Sequence, residues 1–153
     1  ANISSQLDEV FTMEQCLYAI MVASANDIAL QVAEHVGGSV DAFVQTMNTR
    51  AQELGCTNTV FTNPTGLPDE NQHITAHDMA LIMEAAMAND TFRTIAATTS
   101  YTLPATNVSG GERVLTNNFT MINSTSDGYY KPCIGGKEGY TEVPWYVKLP
   151  KIT

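Results

Sequence analysis

Basic residues are scarce in this chain of 153: seven lysines and arginines face 16 aspartates and glutamates, a formal charge of −9. That balance repels phosphate backbones and anionic membrane surfaces, and no basic stripe offsets it, so no nucleic acid is expected as a partner. Cysteine is sparse as well. Cys16, Cys56 and Cys133 form no C-x-x-C pair, and their odd number leaves at least one thiol free, against both a disulfide scaffold and a zinc ribbon. Long apolar runs are missing too: none approaches the roughly 20 residues of a membrane span, and the first ten residues, ANISSQLDEV, lack the order of a signal peptide. What the chain does have is 44% hydrophobic residues, enough to give one domain a core.

Start and stop signals divide the first half into short helices. Thr12 and Gln15 have capping-box spacing and predict a helix from Thr12 to about Ala23, with Met13, Cys16, Leu17, Ile20 and Met21 on its buried face. A second helix is predicted from Asn26 or Asp27 to the Gly37-Gly38 stop. Its Ile28, Ala29, Leu30, Val32, Ala33 and Val36 leave little polar face and predict burial on most sides. Ser39 caps a third, with Val40, Phe43, Val44, Met47, Ala51 and Leu54 inward and Gly55 closing it. A Pro/Gly/Asn-rich loop follows. Thr75 with Asp78 then caps a helix whose Met79, Ile82, Met83, Ala86 and Met87 read as flexible core, and NDTFRTIAA reads as one more turn or short helix. From Thr98 the period changes, and TSYTLPATN, RVLTNNFTMI and YYKPCIGGKEGYT read as strands and loops. The expected class is α+β: one domain over 1–142, with a helical lobe at 12–97 and a strand-rich part at 98–142, then a divergent tail at 143–153.

Two places interrupt this pattern with chemistry. Ser24 and Asn26 sit between the first two helices, where Asn26 can cap the second helix and Ser24 can satisfy the turn. The same turn can equally hold two polar side chains in fixed positions for proton relay and amide binding. Lys137 lies between Gly136 and Gly139, where a ligand can approach the backbone beside an ammonium, although a lone lysine near glycines is commonly a solvated turn. His73 and His77 have the i, i+4 spacing of metal ligands on a helix, but the Thr75 cap puts His73 in the preceding loop.

Taken together, Ser24-Ala25-Asn26, NPTGL at 63–67, TAHDMALI at 75–82 and IGGKEGYT at 134–141 resemble the low-molecular-weight D-alanyl-D-alanine carboxypeptidases. These are penicillin-binding proteins of the serine β-lactamase and transpeptidase superfamily. The resemblance runs in order from about Ile3 to Thr141. It implies a β-lactamase/transpeptidase-like fold with an antiparallel sheet, here incomplete, and three motifs meeting in one cleft: S-x-x-K, S-x-N and K-T-G. By that resemblance Ser24 passes a proton toward the leaving amine and Asn26 bonds the substrate amide. Lys137 favours the terminal carboxylate, and Gly139 lets the substrate lie against a strand edge. The implied reaction trims the terminal D-alanine from peptidoglycan stem peptides through a serine acyl-enzyme, outside the cytoplasmic membrane. No cofactor is implied, and β-lactams are expected to acylate the intact parent.

Two departures bear on activity. No S-x-x-K occurs anywhere in the chain, so the nucleophile is expected upstream of it. Glu138 stands where the resemblance puts a threonine that helps hold the substrate carboxylate, so two carboxylates would face each other. The alternative is accordingly a non-catalytic module that binds cell-wall peptide or another chain. The sequence is expected to be a large piece of its parent, with unpaired strand edges that favour a swapped oligomer or a complementary fragment.

Overall fold

A computed structural model describes residues 1–139. The predicted tail at 143–153, and the last residues of the predicted strand-rich part, lie outside the described residues.

An N-terminal arm leads into α1 (Met13–Ala23), which starts where the capping signal puts it. The Thr12 hydroxyl accepts from the Gln15 amide at 3.2 Å while the Gln15 side chain accepts from the Thr12 amide at 2.7 Å, satisfying two amides the helix cannot. The helix ends at Ser24, whose left-handed backbone turns the chain into α2 (Asn26–Gly37). Gly38, at φ 76°, stops α2, and the Ser39 hydroxyl accepts from the Ala42 amide to open α3 (Val40–Glu53). A Cβ on Gly37 would lie 2.7 Å from that of Phe43, so this glycine is what lets α2 and α3 close into a hairpin. Asn48 on α3 then clamps the next loop, its amide pairing with both the N–H and the carbonyl of Phe61 at 2.8 Å. After that loop come α4 (Ala76–Met87), capped by Thr75, and α5 (Asp90–Ala96), capped by Asn89. β1 (Ser100–Leu103) and β2 (Arg113–Thr116) pair antiparallel with Tyr101 opposite Leu115, and a 3-10 turn follows at Thr120–Ile122.

The main core lies where α1, α2 and the sheet meet. Ala19 and Val22 of α1, Ala25 of the turn, Ile28 of α2, and Leu103 and Leu115 of the two strands close around Ile3 of the arm. The arm is fastened at both ends. Asp27 accepts from the Ile3 and Ser5 amides and the Ser5 hydroxyl, while Arg113 of β2 donates to the Ile3 carbonyl and pairs with Glu9.

Four expectations change. The buried face of α1 is centred on Ala19 and Val22 rather than on the larger residues, and Met13 is 41% exposed. Small side chains let α2 and the sheet approach closely, so the bulkier Cys16 and Ile20 pack at the rim of the contact. Helix α2 buries Ile28 and Ala33, yet leaves Leu30 and Val36 in solvent, so it is one-sided rather than enclosed. On α4 the buried residue is Asp78, not the methionine stripe, and Met79 is exposed. Residues 133–139 form no strand among the described residues, because they bond to the end of α5 instead of to a neighbouring strand, Gly136 N–H donating to Ala96 O at 3.2 Å.

Candidate functional site

Ser24 occupies a strained conformation. With φ 57° and ψ 41° it is one of three non-glycine residues with positive φ among the described residues, a geometry that costs an L-residue about 1–2 kcal/mol. Its N–H donates to Ala19 O, closing the end of α1, and buried Ala25 anchors the turn in the core. Asn26 does not cap α2, because the capping position belongs to Ala25, which has no side chain able to bond. Asn26 is instead the first helical residue, and its backbone N–H donates to Ala1 O at 2.9 Å, so the arm supplies the acceptor that a cap would have provided. Ser24 and Asn26 are both half-buried, and neither side chain has a hydrogen-bond partner among the described residues. A rigid, strained turn thus holds a hydroxyl and an amide that nothing in the described fold consumes.

Asp27 fixes this turn from the other side, a role the sequence reading missed. Burial works to raise its pKa, but the Ser5 and Ile3 amides, the Ser5 hydroxyl and the Ile28 amide outweigh it and hold the carboxyl below its ordinary value. A second latch, Asp78, carries the loop before α4. Its carboxylate accepts from the Thr59 hydroxyl at 2.7 Å and the Asn58 amide at 2.8 Å, while its own amide donates to the Thr75 cap. The Thr59 hydroxyl lowers its pKa most; against opposing burial, with the Asn58 amide and His77 adding to the effect, it falls to about 2. Only the placing of an acid amid an apolar stripe signalled this in the sequence. Both latches are structural, and both position loops rather than substrate.

Lys137 lies on the other segment. Gly135 and Gly136 press it against the fold: a Cβ on Gly135 would come within 3.1 Å of the Ala96 backbone, and one on Gly136 within 2.5 Å of the Phe119 ring. Lys137 is half-buried and its ammonium donates to the carbonyl of Glu138. Burial lowers its pKa, partly offset by the Glu138 charge. Glu138 and Gly139 are exposed, and a Cβ on Gly139 would meet nothing within 4 Å among the described residues.

No hydrogen bond among the described residues joins Ser24 or Asn26 to Lys137. The two segments are related through α5, which packs on α1 and receives Gly136 at its end. A groove of about 360 Å³ runs between α1 and α5, lined by Glu14, Leu17, Tyr18, Thr91, Thr94 and Ile95, beside the stacked rings of Tyr18 and Tyr101. It contains none of the residues just described, and its mouth is open, so the chemistry points to the turn and not to this groove. Among the described residues no group of three or more His, Cys, Asp or Glu side chains is arranged to hold a metal ion. His73 pairs through its backbone with Val60, in the loop before α4.

The described fold is that of part of a DD-peptidase. The Streptomyces K15 DD-transpeptidase matches it with a TM-score of 0.83 and 28% identity, over 93% of this chain and 56% of that one. Residues 1–144 match the D-alanyl-D-alanine carboxypeptidase family of S11 peptidases, and the chain belongs to that family. It is 38% identical over 133 residues to the D-alanyl-D-alanine carboxypeptidase DacB2 of Mycobacterium tuberculosis, covering 86% of this chain and 43% of that protein. It is 45% identical over 74 residues to the D-alanyl-D-alanine carboxypeptidase DacF of Bacillus subtilis, covering 48% of this chain and 19% of that protein. The chain spans about half the length of its long matches. The expected family and the expectation of an incomplete transpeptidase-like α+β fold are therefore borne out.

Proposed function

We propose that the chain contributes two of three catalytic motifs to a serine-type D-Ala-D-Ala carboxypeptidase. The whole protein removes the terminal D-alanine from peptidoglycan stem peptides through an acyl-enzyme, and β-lactams acylate it at the same serine. That serine is not in this chain. Ser24 relays a proton to the leaving amine, Asn26 orients the peptide amide, and Lys137 supplies positive charge at the substrate's end, where Glu138 and Gly139 line the approach. The observation that carries this reading is the Ser24 turn: a left-handed serine two residues before an asparagine, with neither side chain hydrogen-bonded among the described residues. Strain of that kind persists where the surrounding structure enforces it. The protein works outside the cytoplasmic membrane, where its substrate is; no helix among the described residues is long and apolar enough to cross one.

The test is D-alanine release from a pentapeptide by the protein extended through an upstream S-x-x-K. Ser24→Ala should lower kcat by on the order of 10²-fold or more, as loss of a general acid or base does, with KM little changed. An unchanged kcat would remove Ser24 from the mechanism. The lack of S-x-x-K and the presence of Glu138 favour a second reading, a binding module without catalysis, with a swapped copy or a complementary fragment as partner. That module would bind stem peptide reversibly, with no D-alanine released by the extended protein.

A further inference from the structure

We infer that Arg113, on β2, is a positioning residue for the reaction: it sets the Ser24–Asn26 turn through the N-terminal arm, without touching substrate. The inference rests on the reading of that turn as a proton relay and amide binder, and deepens it by naming what fixes the turn in place. The path runs through backbone groups of the arm. Asn26 N–H donates to Ala1 O at 2.9 Å, so the start of α2 is bonded to the arm rather than to a capping side chain. Two residues on, Ile3 is held from several sides. Its side chain is buried with Ala25 and Ile28, its N–H lies 3.3 Å from both oxygens of Asp27, and its carbonyl accepts from Nη1 of Arg113 at 3.1 Å. Asp27 belongs to the turn's own helix and moves with it, whereas Arg113 stands on β2 and gives the arm a fixed reference in the sheet.

The rest of the arginine is arranged to aim that donor. Its Nη2 pairs with Glu9, and its guanidinium carbon lies 5.5 Å from the centroid of the Phe11 ring. The Glu9 side chain is fully buried and is itself fixed by the Thr106 hydroxyl and by the Gln6 N–H at 3.0 Å. Burial works to raise the Glu9 pKa, but Thr106, Gln6 and Arg113 outweigh it, so the carboxylate stays charged against the guanidinium. Such a pair is a poor way to add stability. Taking two charges out of water cancels much of their attraction, and Arg113 Nε is buried with no hydrogen-bond partner among the described residues. What the planar fork supplies, and an apolar pair does not, is direction: one arm of it is held on Glu9 while the other meets the Ile3 carbonyl. A shift of the arm carries Ala1 O with it, and so the backbone of Asn26; a displacement of about 1 Å at reacting groups costs up to about a hundredfold in rate.

The experiment measures D-alanine release from a pentapeptide, together with the urea midpoint, for the protein extended through an upstream S-x-x-K. Arg113→Met with Glu9→Gln removes both charges at once and leaves Gln6 and Thr106 an acceptor. Arg113→Lys keeps a charge facing Glu9 without the fork, and serves if the first variant does not fold. Each is also made with Ser24→Ala. Both should lower kcat, the paired change by about tenfold and the lysine by less, with KM little changed and the protein still folded under assay conditions. With Ser24→Ala already present most of that loss should disappear, because the relay is no longer there to be positioned. Native kcat in both variants, a kcat that falls only as far as the protein unfolds, or an equal loss with and without Ser24 overturns the positioning role and leaves the relay reading intact. If Ser24→Ala alone leaves kcat unchanged, the relay reading itself is overturned, and the inference falls with it.

Discussion

Replacing Asp27 by alanine should loosen the arm from the Ser24 turn, and the size of the effect follows from its bonds. The carboxylate accepts from the Ser5 amide at 3.1 Å, the Ser5 hydroxyl at 3.0 Å and the Ile28 amide at 3.1 Å, and shares the Ile3 amide between its oxygens at 3.3 Å. Hydrogen bonds to a charged group contribute about 1.5–3 kcal/mol each when shielded. Here the group is half-buried, water can rehydrate the freed amides, and the Ile3 bonds are long, so the four together should contribute far less than their sum. The negative charge in the first turn of α2 adds about 0.3–1 kcal/mol. A loss of about 2–3 kcal/mol is expected, which for a urea dependence of about 2 kcal/mol/M lowers the midpoint by roughly 1–1.5 M. Asp27→Asn keeps one acceptor oxygen and should lose about half as much. Hydrogen exchange gives the local readout: the Ile3 and Ser5 amides should lose protection in the alanine variant before those of α3 do. A shift below about 0.5 kcal/mol, with both amides still protected, would refute the argument that Asp27 holds the arm.

Acid should unfold the protein through its carboxylates. Asp78 titrates at about 2 in the folded state and Asp27 is also lowered, so their stabilisation is complete above the unfolded carboxylate value of about 4 and is lost as pH falls from there toward 2. Near-UV circular dichroism should show that loss, and Asp78→Asn should flatten the slope. Ser24→Gly should raise the stability of this chain by about 1 kcal/mol by relieving the left-handed strain, while lowering penicillin acylation of the extended protein; a destabilised chain in urea would contradict it. Gly136→Ala should cost about 1–3 kcal/mol because its Cβ meets the Phe119 ring, and a second change, Phe119→Leu, should restore part of the loss in a double-mutant cycle.

The local signals were legible in the sequence. Thr12 with Gln15, Ser39, and the Gly37-Gly38 stop each act within a single turn, so they fixed the helix ends before any tertiary contact was known. The facing of α1 was less legible, because apolar residues occupy most of its circumference and only the neighbours decide which side is inward. The latches were illegible for a related reason: Asp27 reaches back 22 residues to Ser5, and Asp78 reaches 19 to Thr59, with no local mark of either pairing. At the site, the Ser24 and Asn26 pair could be picked out once the downstream Lys137 motif was seen, but the left-handed backbone of Ser24 could not, since it depends on the arm and the core holding the turn. The segment around Lys137 was expected among strands and loops, and over 133–139 it is a loop. Strand pairing is non-local, and here the partner it finds is the end of α5.

The central proposal is that the chain supplies the relay and charge motifs of a serine carboxypeptidase whose nucleophile lies outside it. A fluorescent penicillin tests this directly, applied to the 153-residue chain and to the protein extended through an upstream S-x-x-K, with the adduct located by mass spectrometry. The account predicts no covalent label on the chain, and a label on the serine of S-x-x-K in the extended protein. A stable adduct on any residue of the 153, or an extended protein that stays unlabelled, would contradict it.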